Sequence, residues 1–158
     1  MARRQRSRRA NVEITEQSFI PAIRAAIKEL TKNEVQIGMQ GDAELAMIAG
    51  VHEYGSVKMK IPARSFIGSG LKKSKAKITK LVRAKITDIV HGRGNIRGFL
   101  TEIGELGKEI TIQNFDRIHK PGLSPIYAKY KKQASGKKKL LQRDEDLRNS
   151  ITFVKVRK

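Results

Sequence analysis

From Asp42 to Phe66 the sequence dictates a helix, a reversal and a stiff return, and the longer elements have to be fitted around them. Asp42 is a good helix N-cap, Glu44 falls in the first turn, and Leu45, Ile48 and Ala49 recur at helical spacing. Gly50 and Gly55 bracket the end of that run, so about three turns of helix are expected before the chain reverses. Gly55 supplies a positive φ without steric cost. Val57, Met59 and Ile61 then alternate with Ser56, Lys58 and Lys60, which reads as one arm of a strand or an extended loop with a basic face. Pro62 fixes its own φ and pushes Ile61 into an extended conformation, after which Ala63–Phe66 anchor the chain as it turns into the next helix.

On either side of this stretch the periodicities are legible. Val12 and Ile14 suggest a short strand, Ser18 is placed to cap a helix with Pro21 in its first turn, and Phe19, Ile23, Ala26, Ile27 and Leu30 form its apolar stripe. Val35, Ile37 and Met39 alternate as a half-buried strand that Gly41 breaks. After a flexible start at Gly68 and Gly70, Ile78, Leu81, Val82, Ile86, Ile89 and Val90 predict a long helix that ends in the run GRGNIRG, Gly92 to Gly98. Ile96, Phe99, Leu100, Ile103, Leu106 and Ile110 predict another, in which Gly104 and Gly107 either weaken the helix or mark a close contact. Pro121, Gly122 and Pro125 enforce a loop, Ser124 caps a short helix, ASGKKK is a solvated linker, and Ser150 to Val156 reads as a last strand. Few strands among long helices predict an α+β fold: a small antiparallel sheet packed against two or three long helices, with an extended loop and a basic N-terminal arm. At 158 residues this is one domain, residues 11–158, behind an arm of residues 1–10 too poor in apolar side chains to pack.

Charge narrows the function. The chain carries 34 Lys and Arg against 15 Asp and Glu, a net charge of +19 that favours polyanionic partners. Arg3, Arg4, Arg6, Arg8 and Arg9 crowd the arm, where a DNA or other polyanion contact is favoured over a merely solvated tail. Lys72 to Lys85 holds seven bases and no acid, and Lys120 to Arg143 eight bases and no acid. Aromatic residues are 5% of the chain and tryptophan is absent, so stacking platforms for single strands are scarce and a sequence-independent backbone contact is the expected use of the charge. With no cysteine, disulfides and thiolate metal sites are excluded. No apolar run approaches the ~20 residues that span a bilayer, and no hydrophobic region follows the N-terminal arginines, so neither a membrane protein nor a secreted one is expected.

Neither a catalytic centre nor a metal or cofactor site is expected. His52, His91 and His119 are far apart, and His52-Glu53 does not extend to a zinc-binding helix motif because residue 56 is serine. The glycines of GRGNIRG miss the dinucleotide spacing, Gly136-Lys137 lacks the upstream glycine of a phosphate loop, and Asp144, Glu145 and Asp146 read as a solvated turn. For Arg64 two roles stay open: a salt bridge that pins its loop, with Glu53 as the candidate partner, or an intersubunit contact. Tyr54 and Phe66 read equally well as core or interface anchors.

The wording of the central stretch resembles a known family. Ala46, Ile48, His52, Glu53, Tyr54 and Gly55, a short spacer, then Ile61, Pro62, Ala63, Arg64, Ser65 and Phe66 are similar to the motif shared by phage virion morphogenesis (tail completion, head–tail joining) proteins. Leu140 to Val156 resembles the family's closing signature of a leucine, a short turn, L-x-x-S-I and a strand, and Gly122 to Lys132 its preceding loop and short helix. Where the family has a glycine in the late turn, this chain has Arg143, Asp144, Glu145 and Asp146. The resemblance implies a non-enzymatic virion protein at the head–tail junction, present in the host cytoplasm during assembly. It implies a closed homo-oligomeric ring, hexameric by preference and dodecameric as the alternative, stacked between the portal-side connector and the tail tube or tail terminator. Glu53, Tyr54, Gly55, Ile61, Pro62, Arg64 and Phe66 would then lie at subunit contacts, Val57, Lys58, Met59 and Lys60 would form a docking loop, and basic residues would touch the passing genome through phosphates. A free, sequence-independent nucleic-acid-binding protein is the alternative from composition alone.

Overall fold

The computed structural model describes residues 18–40, 42–125, 127–130 and 146–158. The arginine-rich arm, the expected strand at Val12 and Ile14, the breaker Gly41, the ASGKKK linker and the Asp144-Glu145 pair lie outside the described residues. The order is α1 (Ile20–Thr31), β1 (Asn33–Met39), α2 (Ala43–Tyr54), α3 (Ile67–Val90), α4 (Ile96–Arg117), a single helical turn at Asp146–Asn149, and β2 (Ile151–Arg157). The two strands pair antiparallel, with Met39 opposite Ile151 and Asn33 opposite Arg157. They form one two-stranded sheet on which α4 packs, with α3 against α4. This is the α+β fold that the periodicities predict.

A two-stranded ribbon has too little area to hold itself together, so its stability comes from the helix laid across it. Gly104 and Gly107 on α4 are what bring the helix so close. A methyl at Gly104 would run into the Phe153 ring of β2, and one at Gly107 into the tip of Ile37 on β1. Where α3 crosses α4 the same device recurs: a Cβ on Gly70 would sit 3.0 Å from the Thr111 Cα.

The main core cluster gathers at one end of this frame. Phe66 and Ile151 are fully buried, beside Ala49, Phe115 and Leu147, and the Phe66 and Phe115 rings meet edge to face at 5.1 Å. Fully burying side chains of this size contributes about 1.5–3 kcal/mol each, and here they tie α2, α3, α4, the helical turn and β2 together.

Four local expectations need correction. Ser18 does not cap α1; Phe19 is the N-cap residue, in helical conformation and without a side-chain cap. Of the predicted stripe, Ala26 is buried and Ile23 and Leu30 are half-buried, while Phe19 and Ile27 stay exposed, Phe19 meeting the His91 ring edge to face at 5.4 Å. Gly68 and Gly70 are not a flexible lead-in but lie within the first turn of α3. Residues 56–61 are not an extended arm: Ser56 and Ile61 exchange both backbone hydrogen bonds, at 2.8 and 2.9 Å, around a tight turn over 57–60 in which Lys60 takes φ 52°. The alternation of Val57 and Met59 has no sheet to be buried on, so period two carried no strand.

Candidate functional site

The corner between α2 and α3 is built around one carboxylate. Glu53, on the last turn of α2, accepts the Ser65 hydroxyl at 2.5 Å and the amides of Phe66, Ile67 and Gly68, each at 2.9 Å. These amides belong to the open N-terminus of α3, whose own N-cap residue, Phe66, has no side-chain acceptor to offer. A residue of the preceding helix thus supplies the missing cap, and the helix dipole favours the negative charge there. Burial pushes the Glu53 pKa up, but the Ser65 hydroxyl and the Gly68, Ile67 and Phe66 amides outweigh it, so the carboxyl titrates below its ordinary value. Gly68 has to be small: a Cβ would sit 2.9 Å from Glu53 Oε1 and 3.2 Å from Ser65 Oγ.

Gly55 makes the reversal possible. It takes φ 77° and ψ 177°, a region open essentially to glycine, and a Cβ would lie 2.9 Å from both the Ala63 nitrogen and the Ile61 oxygen. The returning chain is then held by Arg64, whose amide donates to the His52 carbonyl at 2.6 Å. Its buried guanidinium donates from Nε to the Pro121 carbonyl at 2.9 Å and from Nη2 to the Gly122 carbonyl at 3.0 Å. The salt bridge to Glu53 considered from sequence is therefore not formed: Glu53 is taken up by the α3 N-terminus, and Arg64 faces the loop after α4. Asn114, buried on α4, completes the network by donating to the Phe66 carbonyl at 2.9 Å and to Ser69 Oγ at 2.6 Å, and it accepts from Lys73.

The predicted interface residues separate into two groups. Glu53, Gly55, Arg64 and Phe66 are used by the chain's own fold, as is half-buried Ile61 through its bridge to Ser56. Tyr54, Pro62 and all of Val57, Lys58, Met59 and Lys60 are exposed, Tyr54 at 85% and Val57 at 98%. Sequence reasoning placed Ser65 only within the motif, read Gly68 as a flexible helix entry and passed over Asn114. A polar Asn114 interrupting the apolar run Ile110, Thr111, Phe115 was a usable signal; Gly68 carried none, since what it avoids is a side chain from another helix.

The three sequence pieces that carry the family resemblance meet at this corner. Ala49 and Phe66 from the first share the core cluster with Leu147 and Ile151 from the closing signature, and Gly122 from the middle piece accepts Arg64. Arg148 of the closing signature forms a forked ion pair with Asp116 of α4, at 3.0 Å from Nε to Oδ1 and 3.1 Å from Nη2 to Oδ2.

No family model, no curated protein and no solved structure matches this chain. Among the described residues no group of three potential ligands is placed to hold a metal ion, and no helix is long and apolar enough to cross a membrane.

Proposed function

We propose that this chain is a structural subunit of a tailed-phage neck, a tail completion protein that closes into a ring at the head–tail junction and lets the genome pass, without catalysis. The observation that carries the reading is the convergence of the three motif pieces on one rigid corner, with an apolar rim left over. Tyr54, at the end of α2, and Val57 and Met59, on the turn closed by the Ser56–Ile61 bridge, stand exposed and contribute nothing to the core of their own chain. A helix end and a bridged turn that together present an aromatic and two apolar side chains have the composition of an interface anchor. The bases beside them, Lys58 and Lys60, suit an acidic neighbour such as a connector or tail-tube subunit.

The ring is six-fold by preference and twelve-fold as the alternative, assembled in the host cytoplasm and carried in the virion. The test is to replace Tyr54 and Val57 together by aspartate and measure incorporation into particles. Loss of incorporation, with the fold retained by circular dichroism, is expected; normal incorporation would remove the turn from any interface. A sequence-independent nucleic-acid-binding protein remains the second reading, supported by the unpaired bases of α3 and by net charge.

A further inference from the structure

α3 presents two unlike faces. With successive residues turned by about 100°, Gly70, Ser74, Ile78 and Ile89 fall on its buried or half-buried side. The opposite side carries Lys72, Lys75, Ala76, Thr79, Lys80 and Arg83, all exposed. Of the seven bases in the run, Lys85 pairs with Glu102 and Lys73 bonds Asn114, whereas Lys72, Lys75, Lys77, Lys80 and Arg83 have no acidic partner among the described residues, and of these five Lys77 alone falls off the opposite side. Lys72 and Lys75, and again Lys80 and Arg83, are three apart on this helix, a like-charge spacing that costs a few tenths of a kcal/mol per pair. Among the described residues nothing offsets that repulsion.

We infer that this face of α3 is a contact surface for the phosphate backbone of duplex DNA, read without regard to base sequence. Lys72 and Arg83 are eleven residues apart, which at the helical rise is about 16 Å, and duplex DNA presents about five phosphates per strand over that length. The two strands together carry about ten charges over that length, so four bases without an acidic partner among the described residues offset a little under half of them. The face suits other occupants poorly. A protein partner would need an apolar centre, and the only carbon offered there is Ala76 and the Thr79 methyl. A single strand would need aromatic rings for stacking, and α3 has none. A membrane surface would need an apolar stripe on this side, whereas α3 turns its own toward α4 and α1.

The inference rests on the chemistry of α3 and not on ring closure, so it fails or stands separately from the neck reading. The test compares the full chain with K72Q/K75Q/K80Q/R83Q and with R24Q/K28Q/K32Q/K120Q, which removes the same charge elsewhere. Binding of two short duplexes of unrelated sequence is followed by fluorescence anisotropy across a salt series, with mass measured in parallel. Each phosphate contact contributes about 0.9 to the slope of log K against log salt. The α3 variant is therefore expected to lose up to about 3.6 from that slope and at least about tenfold in affinity at moderate salt, equally on both duplexes and at unchanged mass. The control is expected to change by much less. Equal losses in the two variants would overturn the inference, as would a preference of the face for one duplex, or binding of polyglutamate and not of duplex DNA through it.

Discussion

At the scale of single residues the account depends most on Glu53. Replacing it by alanine strips three amides and the Ser65 hydroxyl of their acceptor, and loss of such a cap costs about 1–2 kcal/mol. Thermal melting is expected to fall accordingly, with Glu53→Gln in between because its amide keeps one acceptor oxygen. The pH dependence has a definite sign. Because the folded-state pKa lies below the ordinary value of 4.5, the unfolded chain binds the proton more readily. Its contribution is complete above that ordinary value and is lost as pH falls through the lower folded-state value. The wild-type melting temperature should therefore drop more steeply than that of Glu53→Gln on acidification below pH ~4.5; parallel curves would contradict a charged cap. Gly55→Ala is the second residue test. It forces a side chain into a glycine-only region against the backbone of Ile61 and Ala63, and a loss of about 1–3 kcal/mol is expected by denaturant titration.

At the scale of elements the question is what holds α4 to its neighbours. Gly104→Ala gains up to about 1 kcal/mol of helix propensity but overpacks against the whole Phe153 ring, which costs about 1–3 kcal/mol, so net destabilisation is expected. Gly107→Ala meets only the rotatable tip of Ile37 and should be nearly neutral; melting both variants tests the ranking. Arg64→Ala leaves the Pro121 and Gly122 carbonyls without their donor, and amide exchange should quicken in the loop after α4. The elements themselves were legible because their signals are local: Val35, Ile37 and Met39 alternate, Ile78 to Val90 repeat at helical spacing, and Gly55 punctuates. What stayed hidden is non-local. The carbonyls that Arg64 engages have no sequence signature, and Gly68 and Gly70 read as flexibility because their reasons for being small sit on α2 and α4. Val57 and Met59 misled for the opposite reason, since a hairpin turn closed by Ser56 and Ile61 leaves an alternating pattern with nothing to alternate against.

At the scale of the molecule, a chain with a net charge of +19 resists packing against copies of itself unless something anionic or apolar compensates. The geometry offers both, on different surfaces: an apolar turn at Tyr54, Val57 and Met59, and a basic face on α3. This division suits a ring whose subunits join through one surface while another meets the genome. The proposed neck assembly is tested most directly by the mass of the purified full chain in solution, at moderate and low salt, alone and with duplex DNA. A closed six-fold or twelve-fold species, or a monomer that closes into a ring only when virion components are added, is the predicted result; a monomer at every concentration that coats duplex DNA without closing would contradict it.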